Sequence, residues 1–141
     1  MEIPEEEWIL LEGESEGHPF FISVNDGLKY FAGKSEYDYC LITTIRLEGM
    51  QGHRLPTDNE AEVLNRMEDI LIEELSKVSI LLEVGRETYL GEREILIYFP
   101  RLNNFKDTVD SISRKLNELR STRLELHHDP VWKNAARYHG S

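Results

Sequence analysis

Apolar residues in this chain fall into runs of two different periods, and the alternation of those periods predicts an architecture. Tyr39, Leu41, Thr43, Ile45 and Leu47 recur at every second position, with Cys40, Ile42, Thr44 and Arg46 between them. That is the pattern of a β-strand over residues 39–47. The period then changes. Ala61, Leu64, Met67, Leu71, Leu75 and Val78 form one stripe of a helix that runs from Thr57 to about Lys77. Ile80, Leu82 and Val84 return to period two and predict a strand over residues 79–84. A further strand is predicted over residues 93–99, where Pro100 closes it. Val109, Ile112, Leu116 and Leu119 mark a second helix, and residues 123–127 a last strand. Strand, helix, strand, strand, helix, strand is the βαββαβ unit. The fold expected is therefore α+β: a ferredoxin-like two-layer sandwich over residues 39–127. Strands 39–47 and 93–99 should lie centrally in an antiparallel sheet, with both helices on one face.

Before this core, Trp8, Ile9, Leu10 and Leu11, then residues 19–24, predict an added N-terminal β-hairpin over residues 8–24, turning at residues 13–17. The hairpin either extends a sheet edge or covers the sheet's second face. Residues 28–37 read as an aromatic, polar connection, and residues 85–91 as a turn. Thr57 and Glu60 have capping-box spacing, in which each side chain accepts from the other's backbone N–H. Asn103 or Asn104 can cap the second helix. Asp129 and Pro130 predict a cap and a first helical position for a short C-terminal helix over residues 129–138. A chain of 141 residues fits one domain, 1–141.

Charge narrows the classes of partner. There are 27 acidic against 16 basic residues, a net charge of −11. Such a field repels phosphate backbones, so no nucleic-acid partner is expected. It suits either solubility or attraction to a basic protein. The acids without an obvious capping or cross-strand duty are Glu5, Glu6, Glu7, Glu14, Glu16, Glu73 and Glu74; the candidate partner-binding residues among them are Glu5, Glu6 and Glu7 near the start, and Glu73 and Glu74 on the outer side of the first helix. Trp132 joins them as a candidate anchor, since tryptophan is frequent at interface hot spots. Its other expected role is to pack back on Trp8 or on residues 28–37. The acidic start is unlike a signal peptide, and no run approaches the roughly 18 apolar residues of a membrane span. No membrane partner is expected, and a cytoplasmic location is.

Candidate chemistry is sparse. His127, His128 and Asp129 are the densest group of possible ligands, but neighbours on a strand point to opposite faces, so no metal site is expected. Glu83, Glu87, Glu92 and Glu94 lie among Arg86 and Arg93 and read as cross-strand ion pairs. Cys40 sits in an apolar run and reads as a buried side chain. As the single cysteine it excludes an internal disulfide. The glycines form no phosphate-cradling loop. No catalytic residue and no cofactor are expected.

Several stretches together resemble a bacterial family, domain of unknown function 695. They are Trp8; His18-Pro19 with the strand from Phe20 to Val24; Leu55-Pro56 ahead of a helix containing Met67-Glu68-Asp69; Gly91-Glu92-Arg93-Glu94 within residues 88–98; and Asp129-Pro130-Val131-Trp132-Lys133. The family's architecture is similar to that of the B-type regulator of ribonuclease E activity, an acidic inhibitory protein. The resemblance thus implies a protein-binding regulator and lends no active-site residues. The function expected is a non-enzymatic interaction domain, in one form an inhibitor or immunity protein against a basic nuclease. The rivals are a small-molecule sensor using the open sheet face, and an enzyme of unknown reaction.

Overall fold

The structure, a computed structural model, describes residues 2–140. In chain order its elements are β1 (Trp8–Ser15), β2 (His18–Asn25), β3 (Tyr39–Arg46), a two-residue ribbon of β4 (Met50–Gln51) and β5 (Leu55–Pro56), α1 (Asp58–Ser76), β6 (Leu82–Tyr89), β7 (Glu92–Phe99), α2 (Phe105–Asn117), β8 (Thr122–His128) and α3 (Ala136–His139). The main sheet has six strands in the order β1-β2-β6-β7-β3-β8, and each pairing is antiparallel. β3 and β7 lie inside it, as the sequence predicts. The N-terminal hairpin extends the sheet, with β2 pairing on β6.

Alternation along the strands divides the apolar residues between two cores. On one face Leu41, Ile45, Ile95, Ile97 and Phe99 meet Leu64, Met67, Leu71 and Leu75 of α1 and Ile112 and Leu116 of α2. On the other, Ile22, Val24, Cys40, Val84, Leu96 and Tyr98 meet a cover that is not a regular layer. Leu28, Phe31 and Tyr37 come from the connection after β2; Trp132, Ala135 and Tyr138 come from the C-terminal segment. Each such large side chain contributes roughly 1.5–3 kcal/mol on burial. This second core takes in Phe31, Tyr37 and Trp132, whereas Trp8 and Tyr30 stay exposed. Gly85 lets it close: a Cβ there would stand 2.7 Å from both the Ser23 carbonyl and the Tyr138 ring.

Several boundaries differ from expectation. The hairpin turn is only Glu16-Gly17, with both residues left-handed, so β1 continues through Gly13. β6 spans Leu82–Tyr89, not residues 79–84. Gly85, Arg86 and Glu87 look like a loop in sequence because they are small or charged. In the fold Arg86 pairs with Glu68 at 2.8 Å, Glu87 pairs with Arg137, and Val84 is accommodated by a bulge. Val78 lies beyond the end of α1 and is exposed. Asn104 occupies the N-cap of α2 without a side-chain capping bond. The capping box at α1 is half formed. Thr57 Oγ1 accepts from the Glu60 N–H at 3.2 Å, but the Thr57 N–H donates to the Gly49 carbonyl. The Glu60 carboxylate instead accepts from the Glu48 N–H and from Arg120.

Candidate functional site

The two edges of the sheet are built differently. β8 pairs only with β3, and it alternates Arg123, Glu125 and His127 along its length. Charges at that spacing blunt a free edge against further pairing. β1 pairs only with β2, so its outer side has no strand beside it. It carries four consecutive apolar residues, all exposed: Trp8 at 37%, Ile9 at 38%, Leu10 at 60% and Leu11 at 45%. A strand at a sheet edge has neighbours on one side only.

Carboxylates frame this strand. Glu5, Glu6 and Glu7 precede it, Glu12 and Glu14 lie within it, and Glu16 forms the turn; all are exposed. No lysine or arginine occurs before Lys29. Two of these acids, Glu6 and Glu7, are held in place. Glu7 donates its N–H to Asn25 Oδ1 at 3.0 Å, and its carbonyl accepts from the Asp26 N–H at 2.8 Å. Glu6 accepts from the Trp8 indole N–H at 3.2 Å.

Trp8 also connects the edge to a buried polar group. Its ring lies 5.3 Å from the Arg86 guanidinium, a cation–π contact. Arg86 bonds Glu68, and Glu68 lies beside Glu83 under α1. Burial pushes the Glu83 carboxyl well up, and the neighbouring Glu68 adds to the rise. Glu68 Oε1 and Glu83 Oε2 are buried without another hydrogen-bond partner among the described residues. A proton on Glu83, donated to Glu68, satisfies both. Arg93 is buried beside them, bonding Thr88 and Asn65. Their residue types alone do not distinguish this pair from solvated ones; only the burial under α1 does.

Other residues singled out from sequence fall as follows. Glu73 is exposed on α1, whereas Glu74 is tied to Lys77 and Lys115, which neutralise it. Trp132 is 3% exposed. It stacks on Tyr98 with centroids 4.1 Å apart, and its indole N–H donates to the Lys34 and Tyr37 carbonyls. It therefore holds down the C-terminal segment on residues 26–38, and is not open to a partner. His127, His128 and Asp129 diverge. His127 lies near Glu125, His128 contacts Asp38 at 3.0 Å, and Asp129 turns inward. Among the described residues no three His, Cys, Asp or Glu side chains gather as metal ligands would.

Asp129 is a structural clasp. Its carboxylate accepts from Tyr98 Oη at 2.6 Å, from the Lys133 and Asn134 amides, and from the Asn134 side chain. Burial alone would raise its pKa; those bonds more than offset that and hold it below the usual range. It caps later than the sequence suggests: Pro130 and Val131 form a turn, Trp132 is left-handed, and helical structure begins at Lys133. Burial and the Asp129 charge push the Cys40 thiol up to about 12. A thiol that seldom ionises is a poor nucleophile.

These features define a mixed α/β protein with a largely antiparallel sheet, apolar and open along one acid-framed edge. The chain belongs to the family of unknown function DUF695, whose model matches residues 6–136. No curated protein matches the chain. Among the described residues no helix is long and apolar enough to cross a membrane.

Proposed function

We propose that this chain is a non-enzymatic, cytoplasmic interaction domain of ferredoxin-like topology that binds a basic protein by strand addition at β1. The observation that carries the reading is the exposed run from Trp8 to Leu11 on an unpaired edge, set among carboxylates, with no lysine or arginine earlier in the chain than Lys29 and with Arg86 already engaged by Trp8 and Glu68. In strand addition, main-chain hydrogen bonds supply affinity and flanking side chains supply choice of partner. The partner segment is extended and apolar, with lysine or arginine on its flanks. A second copy of the chain fits poorly, because any antiparallel pairing of β1 with itself brings two acidic segments together. An inhibitor of a basic nuclease is one protein with these needs; it would mask a nucleic-acid groove with carboxylates.

The test starts with affinity purification from the native cell at low salt and identification of the co-purifying protein. Its association kinetics are then measured against the wild-type chain and a Glu5→Lys, Glu6→Lys, Glu7→Lys triple variant. The expected on-rate falls several-fold between low and physiological ionic strength, where screening acts over about 8–10 Å, and falls further in the variant. Leu10→Lys should mainly raise the off-rate. An on-rate indifferent to both salt and charge reversal would leave the acids as a solubility device.

A further inference from the structure

At the far end of the sheet from the Trp132 clasp, the chain gathers positive charge. A cavity of about 630 Å³ opens there. Three of its lining residues are arginines from three separate elements: Arg46 ends β3, Arg54 lies in the short helical turn between β4 and β5, and Arg123 lies near the start of β8. In a chain of net charge −11, three of the ten arginines surround one opening. Glu92 is the one carboxylate on its wall. It stands opposite Arg46 in the sheet register but forms no ion pair with it. Among the described residues, the Arg46 and Arg54 guanidiniums have no carboxylate or hydrogen-bond partner at all. Among the described residues Arg123 pairs only with the half-buried Glu125. Convergent like charges cost free energy unless an anion joins them.

The backbone is strained at the same place. Five non-glycine residues among those described have positive φ, and two of them line this cavity: Arg54 at 57° and Leu90 at 45°; a third, His53 at 59°, precedes Arg54 in the chain. Such conformations are disfavoured for residues with a side chain and persist where the surroundings hold them. Here the Gly91 N–H donates to the Arg54 carbonyl at 3.1 Å, and the Gly91 carbonyl accepts from the Leu47 N–H at 2.9 Å. The 50–56 segment is thereby clamped to the β6–β7 hairpin, with Arg54 on the cavity wall. Thr44, Ser121 and Thr122 add hydroxyls, while Leu47, Met50 and Leu90 supply an apolar side.

We infer that this cavity is a binding site for a multiply charged small oxyanion, a phosphate or carboxylate compound bearing a modest apolar part. Guanidiniums present paired donors that match both oxyanion types. The volume lies within the roughly 300–1,000 Å³ of small-molecule sites. The site is separate from β1, so it stands or falls independently of the proposed partner.

Isothermal titration at fixed ionic strength tests it, with sodium pyrophosphate and citrate as probes. At least one probe should bind. Pyrophosphate alone would identify a phosphate ligand, and citrate alone a carboxylate. Arg46→Ala and Arg54→Ala should each weaken binding about ten-fold, and Arg114→Ala, on exposed α2, should leave it unchanged. Arg54→Gly should abolish the same contact while raising the thermal midpoint of the free protein, since glycine relieves the left-handed position. The inference is overturned if neither probe binds beyond an equal ionic strength of chloride, or if binding survives both arginine substitutions.

Discussion

Replacing Trp132 with alanine is expected to cost about 3–5 kcal/mol of folding stability, measured by urea unfolding. The indole fills the second core between Tyr98 and Phe31, at centroid distances of 4.1 and 6.4 Å. Its N–H also serves two carbonyls, those of Lys34 and Tyr37 at 3.1 and 2.9 Å. Alanine would leave a cavity and strip both carbonyls of that donor. Trp132→Phe should keep most of the packing and lose about 1 kcal/mol with the hydrogen bonds. A loss below about 1 kcal/mol in the alanine variant would mean that the C-terminal clasp does not hold the second core.

The second large effect is expected at Glu60. This carboxylate is 2% exposed and receives both Nε and Nη2 of Arg120, at 2.9 and 2.6 Å, as well as the Glu48 N–H at 2.8 Å. It joins the start of α1 to the turn after α2 and to the end of β3. Breaking a buried pair by removing one partner leaves the other uncompensated, so Glu60→Ala should cost about 3–5 kcal/mol. The Arg120 bonds, against the opposing effect of burial, hold the carboxyl pKa down at about 2 from an ordinary 4.5. A lowered folded pKa contributes stability above the unfolded value and loses it as pH falls toward the folded one. Wild-type stability should therefore drop by about 3 kcal/mol between pH 4.5 and 2 on this account alone. The Glu60→Gln variant should show a flatter profile over that window. An unchanged slope would show that Glu60 does not carry the acid sensitivity.

Glu60 also illustrates how far the sequence is legible. Its spacing from Thr57 marks the helix start correctly, because capping depends on local geometry. Its real partner, Arg120, lies sixty positions away and has no local signature. The same division runs through the fold. The stripes of α1 and α2 and the alternation in β3 and β7 are visible because one face of each is buried. β6 is misplaced because its charges are satisfied by Glu68 and Arg137, which only tertiary packing supplies. Trp132 is readable as an anchor on residues 28–37, but the displaced cap is not, since the left-handed turn at Trp132 has no residue that announces it. At the candidate site, four successive apolar residues from Trp8 to Leu11, without period two, were the available sign of an unusual strand. That β1 sits on an open edge follows only from the strand order. The Arg46, Arg54 and Arg123 cluster gives no sequence signal, because its members are brought together from three elements.

The proposed binding function rests on strand addition at β1. Amide hydrogen exchange, with and without the bound partner, tests it most directly. In the free chain, the β1 amides that face away from β2 should exchange rapidly, because no strand lies beyond them. Bound partner should protect those alternate amides between Trp8 and Ser15 and leave β8, on the opposite edge, unchanged. Unaltered exchange along β1 in a saturated complex would contradict strand addition and place the partner elsewhere on the molecule.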